Sequence, residues 1–188
     1  MFDYKQINDE EALQAERLAR FIKWRYNPQS VADVGCATGL YLSYFDCEIY
    51  GCDVEDFAFM PSIAKINPDL LHKIDLTKES PSLNCDVVLC LEVLEHVEEQ
   101  NANAAIVNLV QCVENVLIFS AAMPGQGGIG HINCQPKEYW NEKLIGQGLT
   151  RDEEDEFFFK NYLVSGYHMG WLNNNVMIYK NYEGKQNG

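Results

Sequence analysis

The sequence has no run of about eighteen apolar residues, the length a membrane-crossing helix requires. Its first residues, Met1-Phe2-Asp3-Tyr4-Lys5, lack the basic and apolar stretches of a secretory leader. These absences predict a soluble, cytoplasmic protein with no membrane partner. Cations are also scarce, with 14 lysines and arginines against 28 aspartates and glutamates and a formal net charge of −14. Nucleic-acid affinity rests on cations that neutralise phosphates, so DNA or long RNA is not the expected partner, although net charge leaves room for a locally basic groove. The 7 cysteines include no C-x-x-C pair. Several of them, Cys36, Cys52, Cys85 and Cys90, lie in or beside strand-like apolar runs, and we read them as reduced core thiols rather than as disulfides or metal ligands. No internal repeat, linker or low-complexity segment divides the chain. With 188 residues, 47% of them hydrophobic, there is material for one domain and a single core. Residues 1–28 read as a helical N-terminal segment and 183–188 as a flexible tail. The pattern carries no signal for oligomeric state.

The most informative stretch that is present is Val31-Ala32-Asp33-Val34-Gly35-Cys36-Ala37-Thr38-Gly39, an apolar strand running into a small-residue turn and then a helix. Such a turn lets backbone N–H groups come close to a ligand. A dinucleotide fingerprint, G-x-G-x-x-G, fails twice, because from Gly35 it meets Ala37 and Leu40. The spacing acidic-x-Gly-x-x-x-Gly is met by Asp33, Gly35 and Gly39, and it suits a ligand with an ammonium group that the acid at the strand end can pair. A second acid, Asp53, ends the run Ile49-Tyr50-Gly51-Cys52 eighteen residues beyond Gly35. That is the distance expected for a residue accepting hydrogen bonds from ribose hydroxyls.

On these residues the chain resembles the class I S-adenosylmethionine-dependent methyltransferases. The resemblance covers most of the chain. It implies an α/β, Rossmann-like fold with a mostly parallel seven-stranded sheet flanked by helices on both faces. It also implies that Asp33, Gly35, Cys36, Ala37 and Gly39 hold the methionine part of the cofactor, Asp53 and Val54 the ribose, and Asp75 and Leu76 the adenine, with Leu91 and Glu92 closing the pocket. One departure is Ala37, where many members carry glycine; alanine is tolerated there if its φ stays negative.

Periodicity supplies the rest of the frame. A helix is expected from Asn8, with Glu11 as its capping-box partner, to Asn27-Pro28. Ala15, Leu18, Ala19 and Ile22 carry its helical spacing. Strands are expected at 31–35, 48–53, 70–74, 85–91, 115–120 and 175–179, alternating with helices as a parallel sheet requires. The glycine-rich run Met123 to Gly130 reads as a loop bordering the ligand pocket. A helix with Pro136 in its first turn and a second one capped by Thr150 and Glu153 follow it. The acidic run Asp152 to Glu156 reads as a solvated cap at the second helix's N-terminus. Tyr139, Trp140, Phe158 and Tyr162 read as core ahead of an apolar lid.

Glu92, Glu95 and His96 in Glu92-Val93-Leu94-Glu95-His96 share a face if a helical turn begins at Glu92. One reading makes them pocket wall and ordinary helix-entrance residues. The other makes Glu92, Glu95, His96 and the later His131 ligands of Mg²⁺ or Mn²⁺. A similar Glu-x-x-Glu-His pattern occurs in small-RNA 3′-end 2′-O-methyltransferases and ubiquinone-biosynthesis O-methyltransferases, where it is a metal site that polarises acceptor hydroxyls. His131 is also the candidate catalytic base; His72 and His168 have no supporting company. The expectation is methyl transfer to a small-molecule acceptor, at oxygen. The alternatives are metal-assisted methylation of RNA 3′ ends, with Arg17, Arg20, Lys23 and Arg25 as the only evident basic source, and a non-catalytic regulatory subunit that binds S-adenosylmethionine.

Overall fold

Apolar residues face both ways along the middle strands, the pattern required of a sheet covered on both faces. The computed structural model describes residues 3–164 and 170–182; His168 and the 183–188 tail lie outside the described residues. The strands are β1 (Ser30–Val34), β2 (Glu48–Asp53), β3 (Leu71–Lys73), β4 (Cys85–Leu91), β5 (Val113–Ser120), β6 (Thr150–Arg151) and β7 (Met177–Lys180). Ala32, Val88, Leu117 and Met177 enter one core, where Ile106 of α2 (Ala102–Val110) and Trp140 of α3 (Lys137–Gly146) cover them. Their neighbours Val31, Val87, Ile118 and Ile178 enter the other, under Leu18 and Phe21 of α1 (Tyr4–Tyr26), Phe159 of α4 (Glu153–Val164) and Leu172 of α5 (Gly170–Asn175).

The seven strands lie in the order β3-β2-β1-β4-β5-β7-β6. All neighbours pair parallel except β7, which is antiparallel to β5 and β6. The expected Rossmann-like sheet, with helices on both faces, is therefore present. Because the chain winds outward from β1 to β3 and returns to β4, a crevice opens beyond the carboxyl ends of β1 and β4. No helix among the described residues is long and apolar enough to cross a membrane. All seven cysteines are free, and five of them are buried.

The structure corrects several boundaries. Helix α1 begins at Tyr4, with the Asp3 side chain accepting from Gln6 N at 3.0 Å, so Asn8 and Glu11 are not a capping box. Asn8 is buried one turn in and accepts a 2.6 Å hydrogen bond from Thr38 Oγ1, which fastens α1 to the turn after β1. Thr150 lies in a strand, and the cap of α4 is Asp152, whose carboxylate accepts from Asp155 N at 2.8 Å. Asn175 ends a helix; the last strand starts at Met177. Of the four aromatics read as core, Trp140 is buried and Tyr139 partly so, whereas Phe158 and Tyr162 are exposed.

The acidic run is not a solvated cap throughout. Asp155 is wholly buried. It accepts from Arg25 Nε, Tyr26 OH and Lys180 Nζ, each at 2.8 Å. Burial raises its pKa, but hydrogen bonds from Lys180, Tyr26 and Arg25 prevail and hold the carboxyl below its usual value. Glu156 is buried beside it, taking Arg151 through both oxygens at 2.7 and 3.0 Å and Ile178 N at 3.2 Å. Together these acids bind the end of α1 to α4 and β7. Removing one partner of a buried ion pair strands the other. Asp155→Ala is expected to lose about 3 kcal/mol of stability in denaturant titrations, with an unchanged m-value.

Candidate active-site cleft

A cleft of about 710 Å³ lies over the carboxyl ends of the parallel strands. Its floor is the turn after β1. Gly35 has φ +84° and a Cβ there would stand 2.3 Å from Val93 Cγ2; Gly39 has φ +78° and a Cβ would stand 2.8 Å from Ile66 Cγ1. Both conformation and clearance require glycine at these two positions. Ala37, expected at negative φ, instead sits at +45°, a left-handed conformation that costs a non-glycine residue about 1 kcal/mol. The amides of the turn are largely committed within the protein. Gly35 N and Cys36 N donate to Cys52 O at 2.7 and 3.0 Å, and Ala37 N donates to Asp53 Oδ2 at 2.9 Å. The turn therefore offers a ligand clearance more than donors.

Asp33, Gly35, Cys36, Ala37, Asp53, Val54, Asp75, Leu76, Leu91 and Glu92 all line this cleft, as do His96 and His131. Gly39 packs behind the turn instead. Asp33 is only 3% exposed, and among the described residues its carboxylate makes no hydrogen bond or ion pair. Burial, then the charges of Asp53 and Glu11, push its pKa up to about 8. Asp53 is also raised by burial, although the amides of Glu55 and Ala37 pull against this. Asp75 differs: Lys78 at 2.7 Å and Thr77 through its hydroxyl hold it at a pKa of about 2.

Residues 92, 95 and 96 do not share a helical face. Glu92 has φ +53°, and Leu94–His96 form a single tight 3-10 turn. The Glu92 carboxylate accepts from Gln126 Nε2 at 2.6 Å and from Asn175 Nδ2 at 3.0 and 3.2 Å. The group that does converge is Glu95, His96 and His131, one ligating atom of each lying within 4.8 Å of the others. Glu95 is fully buried with neither carboxylate oxygen hydrogen-bonded, and His131 Nε2 lies 3.9 Å from its Oε1. Burial, then the Glu92 charge, push its pKa up to about 8. His96 Nδ1 lies 3.1 Å from Gly130 O and His131 Nδ1 3.4 Å from Gln126 O. Carbonyls in those positions favour the proton on Nδ1 and leave Nε2 as the basic atom of each ring. Ile132 N and Asn133 N donate to Glu95 O at 3.0 and 2.9 Å, which clamps the glycine-rich loop onto the turn.

Three contributors were not read as site residues from the sequence: Glu11 of α1, read as a capping partner, Gln126, within the loop expected to border the pocket, and Asn175 of α5, read as the start of the last strand.

Residues 6–120 match the profile of a family described as a methyltransferase domain. The chain belongs to this methyltransferase family. No curated protein matches it. Among solved structures, the chain is similar to CalS10, an amino pentose methyltransferase from Micromonospora echinaspora with S-adenosylmethionine bound. That match has TM-score 0.65 and 13% identity over 96% of this chain and 98% of the other. It is similar also to the N-methyltransferase NodS from Bradyrhizobium japonicum WM9, with TM-score 0.63 and 18% identity over 91% and 96% of the two chains. A third match, the small RNA methyltransferase HEN1, has TM-score 0.61 and 16% identity over 90% of this chain and 25% of the other. At such identities the likeness concerns the fold. Family and fold together make this an S-adenosylmethionine-dependent methyltransferase. The cleft is compatible with that cofactor on its own terms, since an acid that is buried and without a hydrogen-bond partner among the described residues lines it beside a turn kept close by Gly35 and Gly39.

The same acid destabilises the protein when no ligand is bound. Its pKa is raised in the folded state, so the unfolded carboxylate ionises first and stability falls as pH rises from about 4 towards 8. Asp33→Asn is expected to raise the Tm of the ligand-free protein by about 3–6 °C, with the gain growing between pH 5 and pH 8. Fluorimetric melting across that range checks the sign. Calorimetry of the same variant should show S-adenosylmethionine binding weakened about tenfold or more.

Proposed function

We propose that this methyltransferase acts on an oxygen of a small-molecule acceptor. The observation that carries the reading is the position of His96 and His131, with Glu95 buried behind them, on the wall of the same cleft that Asp33 and Asp53 line. Asp33 and the turn from Gly35 to Gly39 would hold the methionine part of the cofactor, Asp53 and Val54 the ribose, and Asp75 and Leu76 the adenine. Leu91 and Glu92 close the pocket. Bound S-adenosylmethionine supplies an electrophilic methyl group. Much of what the protein must add is alignment of the nucleophile. A hydroxyl nucleophile also has to lose a proton, and His131 Nε2 is the basic atom placed to take it.

The donor set formed by Glu95, His96 and His131 suits a divalent ion such as Mg²⁺ or Mn²⁺. It offers a carboxylate with unused oxygens and two imidazoles whose Nδ1 atoms face backbone carbonyls. Such an ion would take His131 Nε2 as a ligand and would polarise the acceptor hydroxyl in place of that base. Glu92, expected among its ligands, would first have to leave Asn175 and Gln126.

The same trio is what favours a second reading, methylation of an RNA 3′ end, alongside the fold likeness to HEN1. Against it, no lysine or arginine lines the cleft among the described residues. On α1, Arg25 is engaged by Asp155, Arg20 by Glu16 and Lys23 by Asp46. The small-molecule reading therefore stands ahead.

Asp53→Ala is expected to weaken cofactor binding about tenfold or more, because the ribose loses a paired acceptor. His131→Ala should leave cofactor affinity within about twofold while lowering turnover about a hundredfold or more. Turnover that survives in this variant would remove His131 from the mechanism. Full activity in excess chelator would remove the metal while leaving the histidine in place.

A further inference from the structure

The glycine-rich loop after β5 is wrapped around His131. Its far end is fastened where Ile132 N and Asn133 N donate to Glu95 O. Its middle is held by Gln126, which uses both ends of its side-chain amide. Nε2 donates to Glu92 Oε2 at 2.6 Å, and Oε1 accepts from Asn175 Nδ2 at 2.8 Å. The flanking glycines contribute no packing: a Cβ on Gly125 or Gly127 would meet no described atom within 4 Å. The Gln126 side chain, with the turn that Gln126 N closes on Met123 O at 3.0 Å, therefore fixes the peptide that follows it.

The carbonyl of that peptide faces His131. Gln126 O lies 3.4 Å from His131 Nδ1, whereas Cys134 Sγ lies 3.8 Å from the same nitrogen and points its own weak donor at Gln126 O, 4.0 Å away. Gly128 closes another side of the ring. A Cβ there would stand 2.2 Å from both Cε1 and Nε2 of His131, so the imidazole lies against a bare Cα. Gly128 has no positive φ, and clearance rather than conformation is what calls for glycine. The His96 ring approaches edge-on, with centroids 5.0 Å apart. Nε2 is left uncommitted, since Glu95 Oε1 at 3.9 Å is beyond hydrogen-bond reach.

Resting on the reading that His131 Nε2 takes the acceptor's proton or ligates a metal ion, we propose that Gln126 and Gly128 are positioning residues for this imidazole. The Gln126 carbonyl keeps the ring proton on Nδ1, and Gly128 gives the ring the room it needs to present Nε2 to the cleft. Both uses of His131 require that nitrogen bare.

Nitrogen-15 NMR of the imidazoles in the ligand-free full chain tests this, at about pH 9, where an ordinary imidazole is neutral. His131 is assigned by comparison with His131→Ala. In the wild type it should carry its proton on Nδ1. Gly128→Ala should drive the ring off Gln126 O and populate the other tautomer, as should Gln126→Ala, which releases the carbonyl. Gly127→Ala, whose methyl meets nothing described within 4 Å, should leave the spectrum unchanged. Gly128→Ala should also lower turnover about tenfold or more while S-adenosylmethionine affinity stays within about twofold. A wild-type His131 protonated on Nε2 would overturn the proposal, as would identical spectra from Gly127→Ala and Gly128→Ala. The wild-type spectrum is decisive even if a variant does not fold. Because the spectra need no acceptor, their failure is distinct from failure of the base reading, which turnover surviving in His131→Ala would bring down.

Discussion

The parallel pairing of β1 with both β2 and β4 is the constraint on which the site depends. It sets Asp33 beside Gly51 and Leu89 in register, and it delivers the ends of β1, β2 and β4 to one rim of the sheet. Acids that are far apart in sequence thereby line one cleft. The strands beneath are tightly packed, with Val31, Ala32, Val88 and Leu89 wholly buried. The architecture thus uses core packing to hold these carboxylates at one rim.

Much of this was legible in the chain itself. Near-continuous apolar runs in β1, β4 and β5 announced the strands because a two-sided core leaves little choice of residue. The acid and glycine spacing from Asp33 to Gly39 announced the turn because φ values of +84° and +78° at Gly35 and Gly39 disfavour a side chain, and Val93 and Ile66 crowd the space one would take. What the pattern missed was set by tertiary contacts. Nothing local distinguishes Asp155 as a buried hub from its solvated neighbours Glu153 and Glu154, since its partners Arg25, Tyr26 and Lys180 lie far along the chain. The two-residue strand β6 was too short to show any period. Glu92 belonged on paper with Glu95 and His96; a single residue at positive φ turned its carboxylate towards Asn175 and Gln126.

The site is accordingly a composite of two kinds of region. One side of the cleft is built from strand ends and their turns, where backbone geometry fixes each side chain and sequence spacing carries real information. The other side of the cleft draws on α1, the loop after β5 and α5, which are tied to the strand ends through side-chain hydrogen bonds such as Asn8 with Thr38 and Asn175 with Glu92. Such contacts vary without disturbing the sheet, which is how one fold can serve many acceptors.

The Asp155 hub also bears on the order in which the molecule is assembled. It joins Arg25 to a residue 130 positions later and to Lys180 on the last strand. During synthesis the first helix emerges long before its anchor exists, and contacts that span so much chain form late. The two ends of α1 therefore differ: its first turns, which carry Asn8 and Glu11, are tied to Thr38 and Tyr41 close by in the chain, whereas its last turn depends on an anchor supplied from the far end of the sequence.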